Sequence, residues 1–321
     1  MLSKNEIFAL SLIPGVGNKS IRNIIESEIS FPDFDENSLS DLIKGAKKKD
    51  AIYHILNNFD NYLDQAELSL IKLQNDDIQL ISCLDKEYPK YYLQIPNKPV
   101  FIYVKGNLEL LNHDKNIAVI GTRKCSPFGR DVAFKTAEYF AKNNYNIVSG
   151  LALGIDTAAH QGALNVGGLT TAILIDVENI LPKENENLAN EILDQDGLLI
   201  SENPPGTFPK GGLFVSRDRL QSGLSEAVFP IETDIKGGTM HTVRFAEEQG
   251  RLLFCPDLSS IKDYPRNFPQ SNGIKKLINE SRAQSYNGHK YEEILNKIKN
   301  HSFDISKEED RSLVMAKKLF K

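Results

Sequence analysis

The spacing of apolar residues along this chain changes near residue 116. Before that point, apolar side chains recur every three or four residues, which predicts short helices. The predicted helices cover residues 2–12, 18–25, 38–47 and 49–74. Two short apolar runs, at 79–83 and 100–104, predict strands on either side of a segment rich in Tyr and Pro. The pattern indicates a small helical domain over residues 1–75 and a connector over residues 76–115.

From residue 116 to residue 288, short and almost continuous apolar runs alternate with helical stretches. The runs cover residues 117–120, 147–148, 171–175, 198–200, 227–231 and 252–254. The helical stretches lie near residues 128–143, 155–166, 185–194, 214–222 and 239–249. Apolar runs without alternation are typical of parallel strands buried on both faces, and repeated strand–helix succession produces right-handed crossovers. The predicted fold class is α/β, a Rossmann-like, doubly wound, mainly parallel sheet, followed by a helical tail over residues 289–321.

Small and polar residues follow several of these predicted strands. Doubly wound sheets bind ligands beyond the carboxyl ends of their strands, so candidate chemistry should gather at that edge. Gly121, Thr122 and Arg123 come directly after the first run, and Ser126 opens the next helix. Backbone N–H groups at a helix N-terminus attract anions, and the planar guanidinium of Arg123 suits phosphate. The alternative is a tight turn with Arg123 in a surface salt bridge.

Two further turns have the same character. Ser149 and Gly150 follow the second strand of the predicted sheet, and Gly238 and Thr239 precede the helix at 239–249. Glycine lets a ligand approach the backbone closely, and a hydroxyl at a helix start can bind phosphate. Ordinary helix capping is the competing explanation for the second of these turns.

The densest basic segment near the same edge runs over residues 210–219. Its candidate phosphate ligands are Lys210, Arg217 and Arg219. Two positions apart on a helix, Arg217 and Arg219 would diverge, whereas an extended or first-turn geometry would aim both at one nucleic-acid backbone. The alternative is a solvated face of salt bridges.

No set of catalytic or metal-ligating residues stands out in the sequence. A Ser-His-Asp elbow, metal-spaced His and Cys residues, paired carboxylates at strand ends and the dinucleotide fingerprint are all missing. Three scattered cysteines favour neither a disulfide framework nor a zinc cluster, so we expect a reducing, cytoplasmic location with no metal and no cofactor. No apolar run approaches the ~20 residues of a membrane span. We therefore expect binding rather than catalysis, and no membrane.

The net charge of −5 does not by itself indicate a nucleic-acid binder. It does not exclude one either, because phosphate is captured by local patches of charge. Trp is absent, so any surface that stacks nucleic-acid bases must use Tyr, Phe, His or Arg.

Five strings of the sequence together resemble the DprA/Smf family of DNA-processing proteins. They are IAVIGTRKCSPFG, IVSGLALGIDTAAHQGAL, GLLISENPPG, FVSRDRLQSGLSEAV and GGTMHTVRFAEEQGR, in the order expected of that family. The upstream YPKYYLQIPNKPVFIYVKGN is similar to the connector before the family's Rossmann-like domain. The resemblance covers roughly residues 85–280, and SGLALGIDTAAH is its most specific part.

The resemblance implies a homodimer that binds single-stranded DNA, helps to load a RecA-type recombinase during natural transformation, and has no established catalytic activity. In the family, the arginine of the G-[ST]-R turn helps to hold DNA phosphates, which points to Arg123. The full set of expected phosphate contacts is Gly121, Thr122, Arg123, Ser126, Ser149, Gly150, Lys210, Arg217, Arg219, Gly238 and Thr239.

The family's N-terminal part, which resembles a helix-hairpin-helix or SAM-like domain, is matched by residues 12–20. Its glycines would let backbone N–H groups meet a phosphate, which makes Gly15, Gly17 and Lys19 a secondary DNA contact. Without the family context, the same residues describe an ordinary connection between two helices.

The chain departs from the family pattern in ways that bear on function. Asp218 stands where the family usually has Asn between two arginines, so it could weaken phosphate affinity or pair with an arginine. The differences suggest a divergent member serving mobile elements or phage defence. Two other functions stay open: a nucleotide sensor or nucleotide-processing enzyme of a related Rossmann-like family, and a mainly protein-binding role in which the tail docks a partner.

Overall fold

The computed structural model describes residues 2–29, 31, 33–265 and 267–301, which divide into two compact units. The first unit comprises Met1–Tyr88 with Asn97–Ile102. The second comprises Pro89–Pro96 with Tyr103–Lys321. Along the described chain, no helix is both long enough and apolar enough to span a membrane.

In its described residues, the first unit contains five helices and a short strand. They are α1 (Lys4–Leu12), α2 (Asn18–Glu26), α3 (Glu36–Leu42), α4 (Lys48–Asn57), α5 (Phe59–Asn75) and β1 (Gln79–Ser82). Helix α1 begins with a capping box in which Ser3 and Glu6 each accept a bond from the other's backbone N–H, satisfying two N–H groups at the helix start. The turn into α2 contains Gly15 at φ 98°, a left-handed conformation that favours glycine.

The second unit alternates strands and helices through most of its length. Its elements are α6 (Lys90–Leu93), β2 (Phe101–Gly106, of which the first two residues belong to the first unit), β3 (Asn116–Ile120), α7 (Pro127–Lys142), β4 (Asn146–Ser149), α8 (Ile155–Leu164), β5 (Thr170–Leu174), α9 (Glu186–Asp194), β6 (Leu198–Ser201), α10 (Gly211–Gly223), β7 (Ala227–Pro230), α11 (Thr239–Glu248), β8 (Leu252–Pro256), α12 (Asn272–Asn279), β9 (Gln284–Tyr286) and α13 (Tyr291–Asn300).

The strands of this unit lie in the order β2-β6-β5-β4-β3-β7-β8-β9. All neighbours from β6 to β9 pair in parallel, and β2 pairs antiparallel with β6. The chain proceeds outward from β3 through β4 and β5 to β6, and then returns to place β7 on the other side of β3. The reversal of strand order between β3 and β7 is the position at which doubly wound sheets bind ligands. The predicted α/β fold class is confirmed.

Both faces of the central strand are buried. Ile117 and Val119 of β3 belong to an apolar cluster with residues of α7, α8 and α13, and the intervening Ala118 and Ile120 are buried as well. Because alternate residues of a strand point to opposite faces, helices must cover the sheet on both sides. For β3, the turn after its carboxyl end is the part that a ligand can reach.

The C-terminal part contains elements that the apolar pattern did not predict. Strand β9 pairs in parallel with β8 through Ser285 and its neighbours, and α12 precedes it. Of the helical tail expected over residues 289–321, α13 covers the first part. The prediction for residues 302–321 falls outside the described residues.

Candidate functional site

A cavity of about 380 Å³ lies at the carboxyl ends of β3 and β7, where the strand order reverses. We call it the switch-point cavity. Its walls are the turn after β3 (residues 121–124), Ala152 and Asp156 beside the start of α8, residues 214–221 of α10, and the segment from Thr233 into α11. These segments are far apart in the sequence and meet because parallel strands end at one edge of the sheet.

Arg123 and Lys124 supply exposed positive charge at this cavity. The Arg123 guanidinium lies 5.5 Å from the centre of the Phe214 ring, a cation–π contact. Within the described part of the chain, Arg123 forms no ion pair with a carboxylate. Its guanidinium donors are therefore available to an anionic ligand.

The turn that carries Arg123 is held by backbone contacts on both sides. The Thr122 N–H donates to the Glu232 carbonyl at 2.8 Å, and the Ile155 N–H donates to the Thr122 carbonyl at 3.3 Å. Gly154 adopts φ 88°, and a Cβ atom there would lie 2.5 Å from the Thr122 carbonyl oxygen. Glycine is thus required where α8 begins, because the backbone of the Arg123 turn packs directly against it.

Glu232 joins the turns that follow β3 and β7. Its buried carboxylate accepts bonds from the Ser126 N–H at 2.8 Å, the Ser126 hydroxyl at 2.6 Å and the Tyr264 hydroxyl at 2.7 Å. The Ser126 oxygen in turn accepts from the Gly129 N–H and caps α7. Ser126 therefore shapes the turn and leaves no hydroxyl for a ligand in the cavity.

Arg217 lines the cavity but is largely buried, with 6% of its surface exposed. One guanidinium nitrogen donates to the Ile173 carbonyl at 2.7 Å, and Nε lies 3.6 Å from the Asp218 carboxylate. A side chain at Gly150 would overlap this guanidinium, so Gly150 makes room for Arg217. Arg217 supplies positive potential from within the protein.

Two carboxylates balance that charge, of which Asp156 is buried and Asp218 is partly buried. Asp156 accepts bonds from the N–H groups of Gly150 at 3.2 Å and Ala152 at 3.3 Å. Burial raises the pKa of Asp156, although Arg217 opposes the shift. Burial also raises the pKa of Asp218 to about 6, again against the effect of Arg217. The cavity thus contains a carboxyl group whose pKa lies above the usual range of aspartate.

Arg219 points away from the cavity. It forms two bonds of 2.6 Å with the Glu202 carboxylate, and both side chains are nearly buried. The segment is helical here, so Arg217 and Arg219 diverge, as expected for residues two apart on a helix. Arg219 forms a bidentate ion pair with Glu202 and does not line the cavity.

The structure divides the predicted phosphate contacts into two groups. Those that line the switch-point cavity are Gly121, Thr122, Arg123, Arg217, Gly238 and Thr239. Those that do not line it are Ser126, Ser149, Gly150, Lys210 and Arg219. The Ser149 hydroxyl donates to the Val119 carbonyl at 2.7 Å, and Lys210 is exposed just before α10. Gly15, Gly17 and Lys19 belong to the first unit.

Several side chains that line the cavity were not among the predicted contacts, including Lys124, Phe214 and His241. Phe214 lies three residues before Arg217, a spacing that places both on one face of a helix, and this spacing could have indicated Phe214 as a cavity residue.

His160, by contrast, is a core residue. Its Nδ1 lies 2.7 Å from the Thr170 hydroxyl, and burial lowers its pKa to about 3, so the ring is neutral. Among the described residues, no cluster of His, Cys, Asp or Glu side chains could hold a metal ion.

The sequence over residues 79–299 matches the family model of DNA recombination-mediator protein A. This chain belongs to that family. It is 31% identical over 225 residues to the DNA processing protein DprA of Bacillus subtilis (strain 168), covering 70% of this chain and 73% of the relative. It is 32% identical over 242 residues to protein Smf of Borreliella burgdorferi, covering 73% of this chain and 74% of the relative. The resemblance to the DprA/Smf family is confirmed.

Solved structures of family members are similar in fold. The X-ray structure of DNA processing protein A from Streptococcus pneumoniae superposes with a TM-score of 0.73 at 31% identity, covering 89% of this chain and 95% of that one. The DNA processing protein A of Helicobacter pylori gives a TM-score of 0.59 at 28% identity, covering 70% of this chain and 96% of that one. The Helicobacter structure was described for its single-stranded DNA binding mode.

Proposed function

We propose that this chain binds single-stranded DNA with phosphates in the switch-point cavity, and that it thereby assists loading of a RecA-type recombinase. One observation carries the proposal: Arg123 lies at the cavity with no ion pair among the described residues, opposite the start of α11. The first N–H groups of a helix have no intrahelical acceptor, so Gly238 and Thr239 add donors for a phosphate.

The chemistry of the cavity favours holding a ligand over transforming it. Its carboxyl groups, Asp156 and Asp218, lie beside Arg217 and accept bonds from neighbouring groups. The arrangement offers phosphate donors without a nucleophile activated by a base. Family membership and the single-stranded DNA binding described for the Helicobacter relative support the same proposal.

The direct test is a titration of labelled oligo-dT and of a duplex of equal length, at several salt concentrations. We expect tight single-strand binding with a log–log salt slope near −0.7 for each phosphate contact. Failure to bind oligo-dT would overturn the proposal. For the recombinase step, the protein should speed filament nucleation by a RecA-type recombinase on single strands coated with single-strand binding protein, and an unchanged lag time would contradict that step.

The proposal extends to the assembly and to a secondary DNA contact. We propose a cytoplasmic homodimer, as the family resemblance implies, and light scattering that gives the mass of one chain would contradict it. The turn between α1 and α2 presents exposed Gly15, Gly17 and Lys19. If this turn contacts DNA, Lys19→Ala should lower the salt slope for oligo-dT by about 0.7.

A nucleotide sensor is the competing function, because the cavity has the size of a small-molecule site. Calorimetry with nucleoside phosphates and ADP-ribose separates the two functions. Micromolar binding of such a ligand, together with no binding of oligo-dT, would favour the nucleotide sensor.

DNA affinity should rise as the pH falls from about 7.5 to about 5.5. Burial raises the Asp218 pKa to about 6. The charged groups that face this carboxyl are Arg217, Asp156 and Arg123, and Thr242 and Gln221 donate hydrogen bonds to it. Below that pKa the carboxyl is neutral, so it no longer repels phosphate or attracts Arg123. Asp218→Asn should therefore strengthen oligo-dT binding at pH 8 about threefold to tenfold, and should flatten the pH dependence.

The matched control for this pH effect is Asp131→Asn, which removes an exposed carboxylate paired with Lys135 on α7. Fluorescence polarisation from pH 5.5 to pH 8 at constant ionic strength measures both variants. An Asp218→Asn protein that keeps the full pH dependence of the parent would contradict the assignment.

A further inference from the structure

Four large apolar side chains stand exposed along the edge of the sheet that holds the switch-point cavity. Leu153 (39% exposed), Leu181 (39%), Phe208 (76%) and Ile235 (45%) follow β4, β5, β6 and β7, respectively. Within the described part of the second unit, every exposed large apolar side chain belongs to this set. Single exposed apolar residues are ordinary, but their concentration beside one site indicates a binding surface.

Phe208 is the most exposed of the four, and its surroundings connect it to the cavity. Its neighbours Thr207 and Pro209 line a pocket of about 50 Å³ that also contains Phe214 and Arg217. Phe214 and Arg217 line the switch-point cavity too, so the two spaces adjoin. The small pocket is far smaller than the switch-point cavity of about 380 Å³, so a base that stacks on Phe208 would lie against its rim.

The loop that carries Phe208 is restrained. The Thr207 hydroxyl donates to the Pro204 carbonyl at 2.6 Å and its N–H donates to the same carbonyl at 3.2 Å. Pro209 fixes the backbone on the other side. An aromatic ring shown to solvent on such a loop loses little conformational entropy when a flat ligand covers it.

We propose that Phe208, with Leu181 beside the same pocket, is the surface on which bases of single-stranded DNA stack while the neighbouring phosphates occupy the switch-point cavity. This inference rests on the proposed function. In a single strand the faces of the bases are accessible, whereas in a duplex they are covered by neighbouring pairs. An aromatic contact therefore selects single strands, which phosphate contacts alone cannot do, and it tolerates every base because each has a π face.

The test compares two ligands of equal length: oligo-dT, and an oligonucleotide whose sites are abasic. Phe208→Ala should weaken oligo-dT binding about 5- to 100-fold. The same substitution should leave binding of the abasic strand and the salt slope unchanged, because the phosphate contacts remain. Leu68→Ala, which removes an exposed apolar side chain of α5 in the first unit, is the matched control and should change neither affinity.

A second variant reports stacking directly. Because the chain contains no Trp, Phe208→Trp introduces a single tryptophan at the proposed contact, which can be excited selectively over the tyrosines. It should retain oligo-dT affinity, and its emission should be quenched by oligo-dT but not by the abasic strand. This measurement uses the full chain and remains informative if the alanine variant folds poorly.

The outcomes separate this inference from the proposed function. Equal losses of oligo-dT and abasic affinity, or unchanged oligo-dT affinity in Phe208→Ala, would overturn the stacking role, and unchanged affinity would assign the apolar rim to a protein partner. Absence of oligo-dT binding by the parent protein would instead overturn the proposed function itself.

Discussion

Replacing Arg123 with alanine should weaken oligo-dT binding about 10- to 100-fold at moderate salt. The guanidinium lies at the switch-point cavity without an ion pair among the described residues, so its donors are available to DNA phosphates. Hydrogen bonds to charged groups contribute about 1.5–3 kcal/mol each, which corresponds to this range of affinity. The loss should be similar for every base sequence, and the salt slope should fall by about 0.7.

Arg282→Ala provides a matched arginine control for this experiment. Arg282 precedes β9 and therefore lies at the opposite edge of the parallel sheet, where it pairs with Glu247 at 2.7 Å. Its removal should change oligo-dT affinity less than twofold, a rough allowance for general electrostatics. Equal losses in the two variants would show that overall charge, rather than the cavity, binds the DNA.

Replacing Arg217 with leucine should lower the free energy of unfolding by about 3–5 kcal/mol. The guanidinium is buried, donates to the Ile173 carbonyl and lies beside Asp218. Without it, the buried Asp156 and the partly buried Asp218 lose the positive charge that opposes the rise in their pKa values. Urea unfolding at pH 8 measures the loss. At this pH each carboxyl group must either stay ionised without its positive partner or bind a proton from a solution that contains few.

Two further variants identify the cause of that loss. Adding Asp156→Asn and Asp218→Asn to Arg217→Leu should recover part of the stability, because no buried carboxylate then remains uncompensated. Arg282→Leu breaks a partly exposed pair and should cost no more than about 1 kcal/mol. A loss below that value in Arg217→Leu would contradict the compensating role described for Arg217.

The strands of the sheet could be predicted because buried parallel strands have an unusual composition. Each predicted run from 117–120 to 252–254 corresponds to one of the strands β3 to β8. Strand β9 (Gln284–Tyr286) has too few apolar residues to give this signal. The stretch at 49–74 forms two helices, α4 and α5, on either side of Asn58. The sequence pattern did not show this break because the apolar spacing continues across it.

The site could be predicted only in part, because partners distant in sequence decide which charges reach a ligand. Arg123 lies at the cavity, as its place after β3 indicates. The neighbouring arginines of the basic segment depend on contacts that no local pattern reveals. Arg219 meets Glu202 from the end of β6, and Arg217 meets the carbonyl of Ile173 on β5. Sequence identifies a basic residue, but the fold determines whether its charge is already neutralised.

The bonds of the Glu232 carboxylate to Ser126 and Tyr264 have a consequence for binding thermodynamics. They fix the turns after β3 and β7, which flank the switch-point cavity, before any ligand arrives, so the protein has little disorder to lose there on association. The entropic cost of forming the complex then falls mainly on the nucleic acid, whose backbone must become ordered. Single strands whose bases already stack on one another are more ordered before binding, so they lose less conformational entropy in the complex than flexible strands do.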